Sequence, residues 1–131
     1  MTIDTLAWIH VLERKLLVVR SHGKKLFYLS GGERDPGESD QQALIREIWE
    51  QLSIELKIAS ILPASVFCAQ TDAMTGGVDV SMICYCSEFD GRLQIAHEIA
   101  EIRWLDRTNR AQFSAVGRQV VDQLANQDLI D

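Results

Sequence analysis

The chemistry legible in this chain is concentrated in Glu38, Arg46, Glu47 and Glu50, which follow a loop carrying Gly31, Gly32 and Gly37. Glu47 and Glu50 are three residues apart. On a helix such carboxylates are neighbours and repel unless a positive charge lies between them. Arg46 is one source of that charge, and a bound cation is the other. Paired carboxylates are hard oxygen ligands of the kind Mg²⁺ and Mn²⁺ take, commonly shared with phosphate and water. Most glutamate-rich helix faces are merely solvated. A glycine loop with its own acid, directly upstream, makes this one a candidate site for divalent metal and phosphate.

A loop and a helix must position these groups. Gly31 and Gly32 allow the backbone to approach a ligand closely, and Pro36-Gly37 reads as a tight turn. Ser39 with Gln42 three residues later forms a capping box, so the sequence predicts a helix from about Asp40, whose charge suits the helix dipole. At 3.6 residues per turn, Leu44, Ile45, Ile48, Trp49 and Leu52 are expected on a core face. Arg46, Glu47, Glu50 and Gln51 are expected on the opposite, polar face.

Loop and helix together resemble the Nudix box, G-x5-E-x7-R-E-U-x-E-E-x-G-U with U aliphatic. Gly32, Glu38, Arg46, Glu47, Ile48, Glu50 and Ile54 fall on that pattern. So many fixed positions at fixed spacing form a specific signal. The match is direct over residues 31–54 and looser over residues 16–20, 27–29 and 98–105.

The resemblance implies an α/β chain folded as a Nudix-type α/β/α sandwich, with a mixed β-sheet between helices. It implies an Mg²⁺-dependent hydrolase, with Mn²⁺ a possible substitute, acting on a nucleoside diphosphate linked to another moiety. Carried over by position, the Gly31 carbonyl and Glu50 resemble metal ligands, and Glu47 resembles a ligand or the base that deprotonates water. Arg46 would orient Glu47, and Gly32 and Glu38 would brace the loop. A further acid is expected from Glu98 or Glu101.

Three positions depart from the family pattern. Gln51 stands where the second Glu of the pair is usual, Ser53 where glycine is usual, and Ser30 where proline is frequent. The serine at 53 is expected to cost ~1 kcal/mol near a helix C-terminus, and little weight falls on Ser30. Gln51 is the serious departure. Its amide oxygen can touch a cation but brings no charge, and a loss of at least about 10–100-fold in affinity or activity is expected. The chain thus resembles a weakened enzyme, one using fewer metals, or a nucleotide-binding or sensor module that no longer cleaves.

Length and composition set bounds. The 131 residues predict a single domain, 1–131, and the apolar fraction of 47% and charged fraction of 24% are ordinary for a globular protein. A net charge of −6 argues against binding long nucleic acid through its backbone, though bound metal would reverse the local sign for a small nucleotide substrate. No apolar run reaches the ~20 residues that span a bilayer, and no export signal is evident, so a cytoplasmic location is expected. A homodimer is possible.

Cys68, Cys84 and Cys86 are odd in number and read as buried small hydrophobes. His10, His22 and His97 lack zinc spacing. Strands are expected over residues 5–12, 16–20, 26–29, 54–62 and 64–70, broken near Pro63. A turn is expected at 75–77, and further strands at 78–86 and 101–105. Phe113, Val116, Val120, Val121 and Leu124 are expected to form the inner stripe of a final helix. Trp8, Trp104, Phe67 and Tyr85 could stack on a base, but an aromatic on a strand is more often core. Arg14, Arg20, Arg34 and Arg103 could meet distal phosphates, but any one is more often a solvated charge.

Overall fold

Strand β1 (Thr2–Trp8) runs toward a short β2 (Val11–Leu12), and the chain turns back through Glu13 and Arg14 into β3 (Lys15–Ser21). The computed structural model describes residues 2–70, 79–96 and 98–131, with the backbone alone at residues 2, 65–70, 79 and 80. The single strand expected over 5–12 is therefore two. The break at Ile9-His10 lets the chain leave one sheet for another, since β1 and β2 pair in different sheets.

Next come β4 (Gly31–Gly32), α1 (Asp40–Leu52), β5 (Glu55–Leu56) and β6 (Leu62–Gln70). They are followed by β7 (Asp79–Cys86), β8 (Phe89–Asp90), β9 (Ile99–Leu105) and α2 (Ala115–Asn126). One sheet has the order β4-β1-β7-β6, with β1 and β7 parallel and the other neighbours antiparallel. A second sheet, β2-β3-β9, is antiparallel, and β5 pairs with β8.

Helices cover both faces of this framework, and the strands show it by alternation. Leu6 and Trp8 of β1 and Leu17 and Val19 of β3 pack with Ala43, Leu44, Ile48 and Leu52 of α1. Ala7, Ile9, Leu16 and Val18 point the other way, against Val116, Val120, Val121 and Leu124 of α2. The apolar runs from Leu6 to Ile9 and from Leu16 to Val19 are thus required, because neither face of these segments meets water. Each fully buried Leu or Ile contributes about 1.5–3 kcal/mol. The result is the α/β/α sandwich expected.

Several local expectations change. Residues 26–29 form only isolated bridges, Tyr28 to Val19 and Phe27 to Phe113. The segment 54–62 is a strand at Glu55–Leu56, then a 3-10 turn over Ile58–Ser60, and it joins β6 at Leu62. Pro63 lies within β6 rather than ending a strand. β6 is the outer strand of its sheet, and a register shift between Pro63 and Ser65 accommodates the missing N–H. Strand β9 begins at Ile99, two residues earlier than expected.

Phe113 precedes α2 and packs in the core, while Ser114 caps the helix. Cys84 is buried and its thiol is pushed up to about 12 by that burial, whereas Cys86 is exposed at the end of β7. The turn at 75–77, Val78 and the side chains of Phe67, Cys68 and His97 lie outside the described residues.

Candidate active site

α1 starts where the capping box requires: the Ser39 hydroxyl accepts from the Gln42 N–H at 3.2 Å and the Gln42 side chain accepts from the Ser39 N–H at 2.9 Å. It ends at Ser53, whose φ of 60° and ψ of 28° are left-handed. Glycine suits that conformation better, which accounts for the family preference at this position.

The helix is rotated relative to expectation. Trp49, assigned to the core face, is 58% exposed, while Gln51, assigned to the polar face, is only 7% exposed. The reason is the loop. Glu47 and Gln51 lie one turn apart and are drawn onto Gly31 and Gly32, so the opposite edge, carrying Trp49, turns outward.

Two close approaches make the glycines necessary. A Cβ on Gly32 would lie 2.7 Å from the carboxyl carbon of Glu47 and 2.8 Å from both its oxygens. A Cβ on Gly31 would lie 1.9 Å from the Leu6 carbonyl oxygen of the adjoining strand.

Arg46 organises the acids. Its Nε donates to Glu38 Oε2 at 2.8 Å and its Nη2 to Glu38 Oε1 at 2.9 Å; its Nη1 donates to Glu47 Oε1 at 3.1 Å. Nη2 also reaches the Glu33 carbonyl at 3.2 Å, and Nη1 lies 3.4 Å from Glu50 Oε2. This fork-on-carboxylate geometry fixes orientation as well as charge. The Glu38 carboxyl is held below its ordinary range, chiefly by Arg46 and then by the Asp35 N–H, which donates to Oε1 at 2.7 Å. Glu38 therefore ties the loop to the helix.

Glu47 behaves in the opposite way. Burial raises its pKa, and the Arg46 charge only partly offsets that, while the charges of Glu50 and Glu98 push in the same upward direction. A carboxylate raised by burial, beside an arginine and at the end of a glycine loop, is a stronger base than a solvated one and is suited to accepting a proton.

Gln51 makes contacts that its position in the sequence does not announce. Its oxygen accepts from the Ser30 hydroxyl at 2.6 Å and from the Gly31 N–H at 3.2 Å. Its nitrogen donates to the Gly31 carbonyl at 2.7 Å and to Glu47 Oε2 at 3.2 Å. The backbone N–H and C=O of Gly31 leave only one orientation for the amide. Ser30, given little weight, is 1% exposed and is the hydroxyl that completes this arrangement. Two departures from the pattern touch each other, and their joint occurrence was the available signal.

The fit to a divalent cation can be judged from these donors. Among the described residues no group of three or more His, Cys, Asp or Glu side chains converges in a metal-holding arrangement. The Gly31 carbonyl and one Glu47 oxygen are already taken by the Gln51 nitrogen, and the amide oxygen faces Ser30 and Gly31. The outer edge differs: Glu47 and Glu50 present hard oxygens, and Glu50 is half exposed. Those outer donors fit an ion that keeps several waters, as Mg²⁺ usually does.

The two candidates for a distal acid separate. Glu101 accepts from Arg20 Nε at 2.8 Å and Arg103 Nε at 2.9 Å, which hold its carboxyl low. Glu98 is exposed, and its charge is felt by Glu47.

Arg14 and Arg34, which could have met distal phosphates, are engaged in ion pairs. Arg14 pairs with Asp128 at 2.8 Å and Asp131 at 2.6 Å, and Arg34 pairs with Asp40 at 2.5 Å. Trp8 is buried and stacked on His10 with ring centroids 4.8 Å apart, and Tyr85 donates to Asp40 at 2.6 Å. Trp104 packs in the α1-side core. Trp8 therefore has no face open to a base, while Tyr85 and Trp104 are partly exposed. A groove of about 610 Å³, unforeseen from sequence, is lined by Ser21, Lys24, Lys25, Leu26, Tyr28 and Ser114. Its Ser21 wall adjoins Glu98, whose carbonyl accepts from the His22 N–H at 3.4 Å.

A glycine loop fastened by a bidentate Glu–Arg pair to the carboxylate face of a helix, on an α/β/α sandwich, defines a class of phosphate-handling hydrolase domains. The NUDIX domain model matches residues 3–124, and the chain belongs to the Nudix family.

Solved structures agree in fold. The E. coli ORF135 protein shares 23% identity at a TM-score of 0.75, covering 97% of this chain and 91% of that one. A MutT Nudix hydrolase from Burkholderia pseudomallei shares 19% identity at a TM-score of 0.75, covering 95% and 98%. The E. coli dihydroneopterin triphosphate pyrophosphohydrolase shares 15% at a TM-score of 0.73, covering 95% of each. No curated protein matches significantly in sequence. No helix among the described residues is long and apolar enough to cross a membrane.

Proposed function

We propose that this chain hydrolyses a phosphoric anhydride in a nucleoside diphosphate linked to another moiety, with Mg²⁺ or Mn²⁺ as cofactor and at a modest rate. The observation that carries this reading is Glu47: a mostly buried carboxylate of raised pKa, seated on Gly32 and oriented by Arg46. Glu47 and Glu50, with Glu98 nearby, would hold the ion. A bound cation supplies charge neutralisation of the anhydride and a more acidic water.

The chain's own residues do the rest. Glu47 accepts the proton of the attacking water as its oxygen bonds to phosphorus and the bridging P–O bond breaks toward the leaving phosphate. Arg46 keeps the Glu47 carboxylate aimed, and Glu38 fixes Arg46. Glu98 rather than Glu101 is the further acid, because Glu101 is committed to Arg20 and Arg103. The groove beside Ser21 and Tyr28, with Lys24 and Lys25 at its rim, is the candidate seat for the rest of the substrate.

A panel of nucleoside triphosphates, dinucleoside polyphosphates and nucleotide sugars, assayed in Mg²⁺ and in Mn²⁺, tests this. Turnover in wild type that disappears in Glu47→Gln supports it. Retention of a nucleotide in excess chelator, with no cleavage of any substrate, would instead establish the second reading: a binding or sensor module. The engagement of both ends of Gln51, at a position where the family usually has Glu, is the observation that favours this second reading.

A further inference from the structure

The Gln51 amide nitrogen lies between two oxygens, the Gly31 carbonyl at 2.7 Å and Glu47 Oε2 at 3.2 Å. A cation bridging loop to helix would need those same two oxygens. The amide oxygen is equally committed, to Ser30 Oγ and to the Gly31 N–H. Both ends of the side chain are used, the residue is 7% exposed, and Ser30 is 1% exposed. A buried, fully satisfied polar group of this kind fixes one arrangement, because every alternative leaves a buried donor or acceptor without a partner.

We infer that Gln51 does the structural work of an inner cation: it joins Gly31 to Glu47 by N–H donation, so the loop–helix junction is assembled without metal. Any divalent ion is then confined to the outer carboxylates, one per chain. A carboxylate at position 51 could not make this junction. It would set negative oxygens against the Gly31 carbonyl and against Glu47 one helical turn away, a repulsion that only a positive ion relieves. Glutamine trades a second ion for metal-independent order. The inference concerns how the junction is held and does not depend on hydrolysis, so it survives if no substrate is cleaved.

The test compares wild type with Gln51→Glu in excess chelator and in millimolar Mg²⁺, by thermal unfolding and by Mn²⁺ stoichiometry from electron paramagnetic resonance. Wild type should unfold at nearly the same temperature in both buffers and bind one Mn²⁺ per chain. Gln51→Glu should lose roughly 5 °C or more in chelator, recover most of it in Mg²⁺, and bind one additional Mn²⁺.

Equal stability of Gln51→Glu and wild type in chelator, or an unchanged Mn²⁺ count, would overturn the inference. Should Gln51→Glu not fold in either buffer, the wild-type side-chain amide protons of Gln51 decide the matter by nuclear magnetic resonance. Slow exchange in chelator, undisturbed by Mg²⁺, upholds the junction; fast exchange or displacement on adding Mg²⁺ refutes it.

Discussion

Arg46 grips Glu38 through two parallel hydrogen bonds, 2.8 Å and 2.9 Å long, and with the same guanidinium touches Glu47 at 3.1 Å. One rigid fork therefore sets both the loop and the carboxylate proposed as base. Arg46→Lys replaces the fork by a point charge that cannot hold both acids at once. Turnover should fall about 10–100-fold, as for other supporting groups, with the melting temperature little changed. Steady-state kinetics beside a melting curve checks this, and an unaltered kcat would show that Glu47 needs no such orientation.

Glu47→Gln should separate activity from stability. Burial raises the pKa of this acid, so its ionised form is disfavoured in the folded state and the charge weakens the fold at neutral pH. The neutral amide keeps one oxygen to accept from Gln51 and loses the acceptor facing Arg46, so relief of the buried charge and loss of that bond oppose one another and the melting temperature should change little. Turnover should drop by about 10²–10⁴, the range for loss of a general base. A large loss of stability would show that the charge is structural.

The two loop glycines should fail differently when replaced by alanine. A methyl on Gly31 meets backbone, the Leu6 carbonyl at 1.9 Å, and nothing there can turn aside. Destabilisation of at least ~3 kcal/mol is expected in denaturant titration. A methyl on Gly32 meets the Glu47 carboxylate at 2.7–2.8 Å, a side chain that can swing away. That variant should fold and lose activity.

Ser30 and Gln51 should be coupled. Removing the buried hydroxyl in Ser30→Ala should cost about 1–3 kcal/mol, since the Gln51 oxygen loses its 2.6 Å donor. A double-mutant cycle with Gln51→Met should give an interaction energy of about 0.5–3 kcal/mol, and additivity would argue against the bond.

Asp106 carries an acid-dependent part of the stability. Lys15, donating at 2.7 Å, and then Thr108 hold its carboxyl at about 2. The unfolded chain has the ordinary value, 3.8, so the carboxylate form favours folding. That contribution is complete above about pH 4 and disappears as pH falls through about 2. It amounts to about 2 kcal/mol. Asp106→Asn should be less stable than wild type at pH 7 by that order, with the gap closing near pH 2. A gap independent of pH would point to packing instead.

The sequence alone determined what is local or periodic. The capping box at Ser39 and Gln42, the helix from Asp40, and the run of Glu38, Arg46, Glu47 and Glu50 are set by spacing along one chain. Hydrogen bonds and helical neighbours over a few residues need no knowledge of distant segments. The apolar residues of 5–12 and 16–20 likewise announced strands.

Tertiary structure decided what depends on groups far apart. Trp49 faces outward and Gln51 inward because the Gly31–Gly32 loop, not the helix's own periodicity, sets its rotation. Glu101 and Glu98 look equivalent in sequence, and only the pairing of β3 with β9 sets Arg20 opposite Glu101 and commits that acid. Ser30 and Gln51, 21 residues apart, meet through a single hydroxyl. Long-range contacts of this kind depend on where strands and helices close upon one another, which no local pattern encodes.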